Sequence, residues 1–517
     1  MLSDERSDSL KKEDSVTESE DSLSIPSVIR LSSAKSDDLN SYRSKSSSGY
    51  DHLLEEIEIT SNHPAHPQNW ATWKKALLIV LSTSLQAYVF WTPNFYSGVS
   101  SKVSEEWNLS SQTSLLGQSM FLLGIALGPL VLGPLSDLVG RKFVYIGSLL
   151  VYICFNISCA LAINYPQLVI SMFILGAVGS TTLANVAGGV ADLLRSEHSN
   201  WGMYMFIFMC SVSSIGSPMG TAVSENPKLG WRWLYWINVI VGGFFLLVLA
   251  FSPETLPVIV VEQYEARRNN KPISMFPRLT FKALFKNTYF ILSMALKIFL
   301  TEPIVTSLGV YNGFINGLLY FFLQAIWPVY SDIYKMSDIA ASSTYLAAIP
   351  ACIILLWLEP LQSWLYRRDK RNNRKSRPEA RFIMTIALVW GFPIGIFLFA
   401  FSTKPTIHYI VSLIALTMFN IADYHIWQAM LLYITDSYPS VSASAVAAFE
   451  LPSNLGGTIF VHLSALMFSR MNIHWATAVV GFVSLPLIAL IYILYYFGNR
   501  IRSRSKLATR HFIQLDS

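Results

Sequence analysis

Two things are scarce in this chain of 517 residues: charged side chains and cysteines. Charged residues make up 14% of the sequence, whereas a soluble domain has about a quarter, so a water-soluble globular fold is disfavoured. The four cysteines all lie within apolar segments, without the spacing of a disulfide framework or a Cys/His metal site. We expect them to act as small apolar side chains, and we expect no metal and no cofactor.

Motifs of catalysis are also missing. The sequence contains no nucleophile elbow, no phosphate-binding loop and no metal-ligand cluster, which argues against an enzyme. The chain opens with a polar segment rather than a cleavable signal peptide. We expect no nucleic-acid partner.

Long apolar runs dominate the rest of the chain. Hydrophobic residues make up 52% of the sequence, and the mean hydropathy is +0.41. A helix needs about 20 mostly apolar residues to cross the hydrocarbon core of a bilayer. The predicted fold is an all-α membrane protein with 12 transmembrane helices in two six-helix halves. The predicted spans cover residues 76–98, 112–132, 143–162, 168–193, 201–223, 233–251, 304–330, 339–361, 382–401, 407–434, 443–468 and 477–497.

The segments outside the spans differ in composition. Residues 1–68 are rich in Ser, Asp, Glu and Lys and poor in large apolar residues, which predicts a disordered tail. The other predicted boundaries are 69–253 for the first half, 254–300 for a central loop with an interfacial helix over 288–300, 301–498 for the second half, and 499–517 for a basic tail.

Basic residues are concentrated in alternate loops. One set of loops carries clusters such as Arg141–Lys142 and Arg367–Arg368, and the other set holds few bases. The positive-inside rule therefore puts the basic loops, the central loop and both termini in the cytoplasm. The sequon at Asn108 then lies in the first external loop, where glycosylation is possible. We expect the plasma membrane, with the vacuolar or another internal membrane as the alternative.

A short charged loop, residues 133–142, separates the second span from the third. It is too short to fold by itself, so its charges act on the ends of the adjacent helices. A weaker echo follows the eighth span, where Glu359-Pro360 precedes Arg367-Arg368 at the spacing of Gly133-Pro134 and Arg141-Lys142. Repeated six-span halves are typical of transporters whose substrate site lies between the halves near the midplane.

Several motifs in order resemble the major facilitator superfamily, in particular its fungal twelve-span drug:proton antiporters, which include polyamine and multidrug exporters. The resemblance runs from residue 67 to about residue 508. It implies the major facilitator fold and a gating role for the charged loop. The motifs that carry it lie at residues 67–70, 133–142, 229–233, 253–255, 302–303, 378–381, 433–439, 474–476 and 497–505.

The gating residues implied by the resemblance are Gly133, Asp137, Gly140 and Arg141. Asp137 is expected to cap a helix of the other half. Arg141 is expected to pair with Asp137, or with acids such as Asp192 or Asp436, when the cytoplasmic side is closed. Glu302, just before Pro303, is another candidate, although an acid at a helix N-terminus followed by proline has an equally good structural explanation.

The sequence departs from the family pattern at three places. Met172 stands where the fourth span of the family usually has an Arg tied to proton coupling. The fifth-span glycine motif keeps Gly216 and Gly220, but its proline has moved by one place. Glu450 lies in the region where the eleventh span often carries an Arg. For Gly216 and Gly220 we favour helix packing over a coupling role.

Three ionisable residues lie inside predicted spans and are candidates for proton or cation coupling. They are Asp423 and His425 in the tenth span and Glu450 in the eleventh. Intramembrane ionisable groups are costly and tend to be functional, although a structural hydrogen bond between helices is the alternative. Asp423 shares a helical face with Asn420 and Trp427, whereas His425 lies about 200° around the helix. Asp423 and His425 are therefore expected to meet different neighbours.

Polar residues in the seventh span are spaced by four and form one stripe. We favour a cavity-lining role for this stripe over hydrogen bonds between helices. Aromatic side chains nearby suit organic cations through cation–π contact. The substrate-cavity candidates are Asn312, Asn316 and Tyr320 of the stripe, Gln86 and Trp91 of the first span, and Trp427 of the tenth.

These residues predict a monomeric secondary active transporter that uses protons to move a small solute across a lipid bilayer. The first choice is export of drug-like or polyamine cations by alternating access. Uptake of a small nutrient such as a vitamin is the alternative. A receptor-like protein that does not transport is the competing class, and the tail without a folded domain argues against it.

Overall fold

The computed structural model describes residues 63–194, 199–270, 281–373, 377–438, 442–503 and residue 505. In this part of the chain the secondary structure is helical and no strand occurs. Eleven helices found there are long and apolar enough to cross a membrane, and a bent helix pair completes a twelfth span. The predicted all-α fold with 12 membrane-spanning helices is confirmed.

The spans are numbered in chain order. The first half contains span 1 (Thr72–Trp107), span 2 (Ser111–Leu127 with Pro129–Val139), span 3 (Arg141–Ala160), span 4 (Tyr165–Leu193), span 5 (Trp201–Glu225) and span 6 (Arg232–Phe251). The second half contains span 7 (Pro303–Ile333), span 8 (Asp338–Asn372), span 9 (Pro378–Ser402), span 10 (Tyr409–Ser437), span 11 (Ser442–Arg470) and span 12 (Ile473–Arg502).

Span 2 bends by 44° where Gly128 meets Pro129. Proline removes one backbone hydrogen bond and its ring crowds the preceding turn, which bends a helix. Gly128 also lies against span 4, where a Cβ would overlap the carbonyl oxygen of Ala177 and the hydroxyl of Ser180. The bend therefore occurs at a place where spans 2 and 4 are in close backbone contact.

The linker between the halves contains two helices. The first, Pro257–Arg268, begins with proline and ends with Arg267 and Arg268 in its last turn. The second, Phe281–Thr301, is longer than the interfacial helix predicted over 288–300. It extends through Lys282 and Lys286, and lysine favours the helical state. This linker helix packs against spans 2, 7 and 11, across the junction of the two halves.

The first described residues, 63–68, precede the predicted boundary at residue 69 and contact the linker. The imidazole of His63 lies 3.3 Å from a carboxylate oxygen of Glu265 in the linker. Its ring meets the ring of Tyr264 edge-on. The predicted tail up to residue 62 lies outside the described residues, as do residues 271–280 of the central loop.

Each half has its own apolar core. One core is built from spans 1 to 6 and the other mainly from spans 7 to 12. Two smaller clusters join the halves. The first, which we call the 5–8–10 cluster, includes Tyr204, Phe206, Cys352, Leu355 and Trp427. The second includes Leu115, Leu122, Tyr320 and Val461.

We call the end of the bundle that carries Arg141, Arg381 and Arg502 the basic side. The opposite end, which carries Asn108, Glu225 and His462, is the far side. The 5–8–10 cluster extends to the basic side through Val190 and Leu194. The cluster of spans 2, 7 and 11 lies toward the far side.

Candidate functional site

The basic side of the first half is organised around the carboxylate of Glu254, which follows span 6. It accepts hydrogen bonds from the backbone N–H groups of Arg141 (3.0 Å) and Lys142 (3.1 Å) at the start of span 3. It also accepts those of Thr255 (2.8 Å) and Leu256 (2.9 Å). Helix N-termini leave such N–H groups unpaired and favour negative charge. Glu254 thereby caps span 3 and fixes the chain that leaves span 6.

The glycines of the charged loop differ in their surroundings. Gly140 has φ +105°, and a Cβ there would lie 2.5 Å from Oε2 of Glu254. Only glycine fits this combination of backbone conformation and close contact. Gly133, in contrast, has open space where a Cβ would be.

Arg141 connects spans 2, 3 and 4 through its buried guanidinium group. Its Nε lies 3.0 Å from the carboxylate of Asp192. Its Nη1 donates to Asn185 (3.0 Å) and to Ser136 (3.3 Å), and lies 3.5 Å from the carboxylate of Asp137. Two of the three acids named as partners for Arg141, Asp137 and Asp192, therefore contact it, and all of these contacts are within the first half.

The basic side of the second half holds two comparable ion pairs. Asp436, at the end of span 10, accepts a hydrogen bond from Nε of Arg381 at 2.8 Å. Glu379 and Arg502 form a pair at 2.9 Å with both side chains almost fully buried, which ties the end of span 12 to the start of span 9. Asp436 is thus the partner of Arg381, not of Arg141.

Glu302 occupies the N-cap position of span 7, ahead of Pro303 at the first helical position. Its side chain is buried, and Oε2 accepts a hydrogen bond from the hydroxyl of Tyr438 at 3.2 Å. This contact joins the beginning of span 7 to the end of span 10.

Sequence reasoning gave no role to Glu254, Arg381 or Glu379, although each lies in a quoted motif. The signal available was the recurrence of a Pro-Glu pair at the basic end of a span, Pro253-Glu254 and Pro378-Glu379. The similar spacing after span 8 drew attention to Arg367 instead. Arg367 is exposed and donates a hydrogen bond to the carbonyl oxygen of Ser363, four residues earlier in the same helix.

Gln86 on span 1 and Asn312 on span 7 are fully buried amides, one in each half. Among the described residues, neither the amide nitrogen nor the amide oxygen of either side chain has a hydrogen-bond partner. The thiol of Cys210 on span 5 lies close to Gln86, but a thiol is a weak partner. Buried polar atoms are normally paired, so these four atoms are candidates for contact with a ligand or water.

Asp423 on span 10 is also buried. Tyr311, Tyr424 and Cys352 lie in its surroundings. In the described part of the chain, no cation pairs with its carboxylate. An unpaired acid within a span is costly and points to a functional role.

The predicted stripe of span 7 divides between neighbours. Asn316 donates to the carbonyl oxygen of Ser453 on span 11 at 2.9 Å, and Tyr320 lies against Gly457 on the same span. Gln324 bonds to Gln118 of span 2 in the first half at 2.8 Å. The amide of Asn312 has no hydrogen-bond partner among the described residues.

Glu450 on span 11 accepts a hydrogen bond from the indole N–H of Trp427 on span 10 at 3.0 Å. The Trp427 ring stacks on Phe206 of span 5, with centroids 6.0 Å apart and planes 28° apart. His425 faces another neighbour, because its Nδ1 lies 3.4 Å from the hydroxyl of Tyr204 on span 5. Asp423 and His425 thus face different surroundings, in agreement with their angular separation on the helix.

Comparison with known proteins gives the family. Residues 77–449 match the Major Facilitator Superfamily. The chain belongs to this superfamily. It is therefore a multi-pass membrane transporter that acts on small molecules.

Individual relatives within the superfamily differ in their names. Uncharacterized transporter C576.17c of Schizosaccharomyces pombe is 69% identical over 97% of this chain and 95% of its own length. Vitamin B6 transporter bsu1 of the same yeast is 46% identical, covering 87% of this chain and 85% of its own. Major facilitator superfamily multidrug transporter FLU1 of Candida albicans is 28% identical, covering 86% and 74%.

The surroundings of Met172 are uncharged in this member of the superfamily. Met172 is fully buried, and the hydroxyl of Tyr235 lies 3.6 Å from its sulfur. Nearby in the first half, the amide of Asn238 donates to Thr92 (2.8 Å) and to Asn156 (3.1 Å). These polar groups bond to one another and carry no charge.

Gly216 and Gly220 of span 5 lie against span 1. A Cβ at Gly216 would lie 2.6 Å from Cδ1 of Trp91, and one at Gly220 would lie 2.7 Å from the carbonyl oxygen of Phe95. This is the close helix contact that small residues permit in membranes. Trp91 accordingly contacts the span 5 backbone.

On the far side, Asn108 ends span 1 in the left-handed conformation with φ 50° and is exposed. His462 of span 11 lies 2.9 Å from the hydroxyl of Ser119 on span 2. Together with the bond between Gln118 and Gln324, this contact joins the two halves at the far side.

Proposed function

We propose that this transporter couples the movement of a small, protonatable organic solute to protons by alternating access. The observation that carries the proposal is a pair of fully buried amides, Gln86 and Asn312, whose polar atoms lack a hydrogen-bond partner among the described residues. It is supported by the buried carboxylate of Asp423, which pairs with no cation in the same part of the chain. A buried unsatisfied polar group costs roughly 1–3 kcal/mol. Such groups persist in a transporter because substrate or water occupies them during the cycle, at the midplane position typical of these folds.

The residues also support a substrate class. Two amides each offer a donor and an acceptor, which suits hydroxyl, amine or ring-nitrogen groups. The carboxylate of Asp423 favours a positive charge. Tyr311 and Tyr424 lie close to Asp423 and supply aromatic surface that suits an organic cation. A small heteroaromatic amine or pyridine-type nutrient combines these features.

The 46% identity to a vitamin B6 transporter leads us to place uptake of a vitamin-like nutrient first. The sequence alone had favoured export of drug-like or polyamine cations. Export remains the second candidate because multidrug-type relatives at 27–28% identity span most of the chain. Asp423 and Glu450 are the coupling residues in either case, since Met172 removes the usual arginine.

The basic side is assigned to the cytoplasm, with both termini there, and the plasma membrane is the proposed location. The ion pairs around Arg141, Arg381 and Arg502 then lie at the cytoplasmic ends of the spans. We assign them a gating role, because they tie together helix ends that must move when that side opens.

Flux into liposomes containing the purified protein tests this function. The probes are labelled pyridoxine, spermidine and a lipophilic drug cation, each with and without an imposed proton gradient. We expect saturable, gradient-driven accumulation of pyridoxine, and its loss in Asp423→Asn. Trp390→Phe is the control, because Trp390 donates to Tyr492 within the second half.

Transport of spermidine or the drug cation without pyridoxine would favour the export candidate. If none of the probes crosses the membrane faster than in protein-free liposomes, the proposed substrate class is wrong. Gradient-independent pyridoxine flux that Asp423→Asn leaves unchanged would refute proton coupling through this residue.

A further inference from the structure

One chain of contacts crosses from the second half to the first through three side chains. Glu450 on span 11 accepts the indole N–H of Trp427 on span 10 at 3.0 Å, and the Trp427 ring stacks on Phe206 of span 5. Phe206 and Trp427 both belong to the 5–8–10 cluster, which joins the halves and extends to the basic side. An ionisable group is thereby linked to an inter-half contact by a single aromatic ring. We call the three side chains Glu450, Trp427 and Phe206 the relay.

We propose that Trp427 is a positioning residue that makes the contact between spans 5 and 10 depend on the protonation of Glu450. This inference rests on the proton-coupled transport proposed above. It goes beyond a coupling acid, because it names the side chain through which that acid acts and the contact on which it acts.

The argument follows from the donor and acceptor chemistry. Trp has one N–H donor and no other polar atom. When Glu450 is ionised, its bond to that N–H is charge-assisted and is about twice as strong as a neutral one. The bond fixes the plane of the indole, which holds it nearly parallel to Phe206. The ionised acid therefore favours closure of the 5–8–10 cluster.

Protonation of Glu450 removes the charge and weakens the bond, so the indole is no longer held against Phe206. The two halves are then joined less firmly at the basic side. Proton arrival thus precedes opening at that side, and proton release restores closure. This order of proton binding and opening is compatible with uptake of the solute together with a proton. It is equally compatible with export of the solute in exchange for a proton.

Other ionisable groups lie on the elements around Glu450. They include Lys297 on the linker helix, Asp332 at the end of span 7, Asp423, His425 and Asp436 on span 10, and His474, Arg500 and Arg502 on span 12. The side-chain hydrogen bond of Glu450 to the indole N–H of Trp427 is the contact that leads from this acid to the 5–8–10 cluster.

The first test measures opening without any substrate. Spin labels are placed on Ala76→Cys, in the first turns of span 1, and Arg371→Cys, in the last turns of span 8, after the native cysteines have been replaced. Both positions are exposed on the basic side. Distances from pulsed electron spin resonance are compared between acidic and neutral pH. The doubly labelled protein without further substitutions, which we call the parent, is expected to show a larger share of the long label-to-label distance at acidic pH.

Three variants separate the parts of the relay. Glu450→Gln is expected to keep the long-distance share high at both pH values. Trp427→Phe keeps a flat ring against Phe206 but lacks the N–H, and we expect its distance distribution to become independent of pH. Trp390→Phe removes an indole bond of similar length, 2.9 Å to Tyr492, and is expected to behave like the parent.

A second measurement uses proton-driven accumulation of the transported probe. We expect accumulation by Trp427→Phe to fall about tenfold, equivalent to roughly 1.4 kcal/mol, whereas Trp390→Phe should accumulate as much probe as the parent. Because the residues act in series, Trp427→Phe combined with Phe206→Leu should lose no more than the worse single variant.

The outcomes distinguish the two proposals. If Trp427→Phe keeps the pH-dependent distance change of the parent, the relay is wrong, whatever is transported. A parent without any pH-dependent change also overturns it. If the distances respond as expected but none of the probes is transported, the relay stands and the proposed substrate class fails.

Discussion

At the scale of single residues, Glu254 accepts backbone hydrogen bonds from two separate segments of the basic side. Its two oxygens accept four N–H groups, two of them from the first residues of span 3. A carboxylate has only acceptors, and this environment offers only donors to it. The residue is therefore fixed by hydrogen-bond chemistry as well as by charge.

Glu254→Gln tests this arrangement. The amide has the shape of the carboxylate, but its NH₂ group would point at N–H donors and leave at least one of them unpaired. We expect a loss of about 1–3 kcal/mol in unfolding free energy, measured as a lower unfolding temperature in detergent. Glu105→Gln is the control, because Glu105 is exposed and pairs with Lys102 at the surface. Equal unfolding temperatures for the two variants would contradict the capping role.

The roles of residues were harder to predict than their positions. The sequence placed Asp423 and His425 on different helical faces, because angular spacing depends only on the helix. It could not assign Arg381 to Asp436, because that pair joins segments 55 residues apart. Long-range pairs depend on how the spans are arranged, and a single sequence contains no direct record of that arrangement.

At the scale of elements, hydropathy located all the spans but not their irregularities. Apolar length alone identifies a helix that crosses a membrane, so the predicted ranges overlap the observed helices. The bend of span 2 at Gly128 and the π-helical turn Pro328–Ile333 at the end of span 7 were not predicted. Such features depend on what each helix packs against.

The contact between spans 1 and 5 allows a second prediction. A Cβ at Gly220 would lie 2.7 Å from the carbonyl oxygen of Phe95, which is backbone and cannot rotate away. Gly220→Ala should therefore separate the spans and cost about 1–3 kcal/mol, as overpacking does. Gly243 on span 6 has open space around it, so Gly243→Ala should leave stability unchanged or raise it slightly. Unfolding temperatures in detergent check both, and an unaffected Gly220→Ala would refute close packing at this position.

At the scale of the whole molecule, the halves meet at two levels. The 5–8–10 cluster joins them toward the basic side, and the contacts of Gln118 with Gln324 and of Ser119 with His462 join them at the far side. Each half keeps its own apolar core, so the halves can turn as units while the contacts between them are exchanged. Alternating access requires that the contacts at one level break while those at the other persist.

This requirement leads to a prediction about the far-side contacts. Gln118 and Gln324 bond across the halves at 2.8 Å, so cysteines at both positions should be joined by a short bifunctional thiol reagent. The joined protein cannot open at the far side, and we expect flux to fall to the level of empty liposomes and to recover when a cleavable reagent is reduced. The side-chain atoms Nε1 of Trp390 and Oη of Tyr492 lie 2.9 Å apart within the second half. Cysteines at these two positions, joined by a reagent long enough to replace both side chains, should cause little loss of flux. A rigid tether between positions 118 and 324 is incompatible with opening of the far side by rotation of the halves. Full transport by the cross-linked protein would therefore mean that the halves need not separate at this contact.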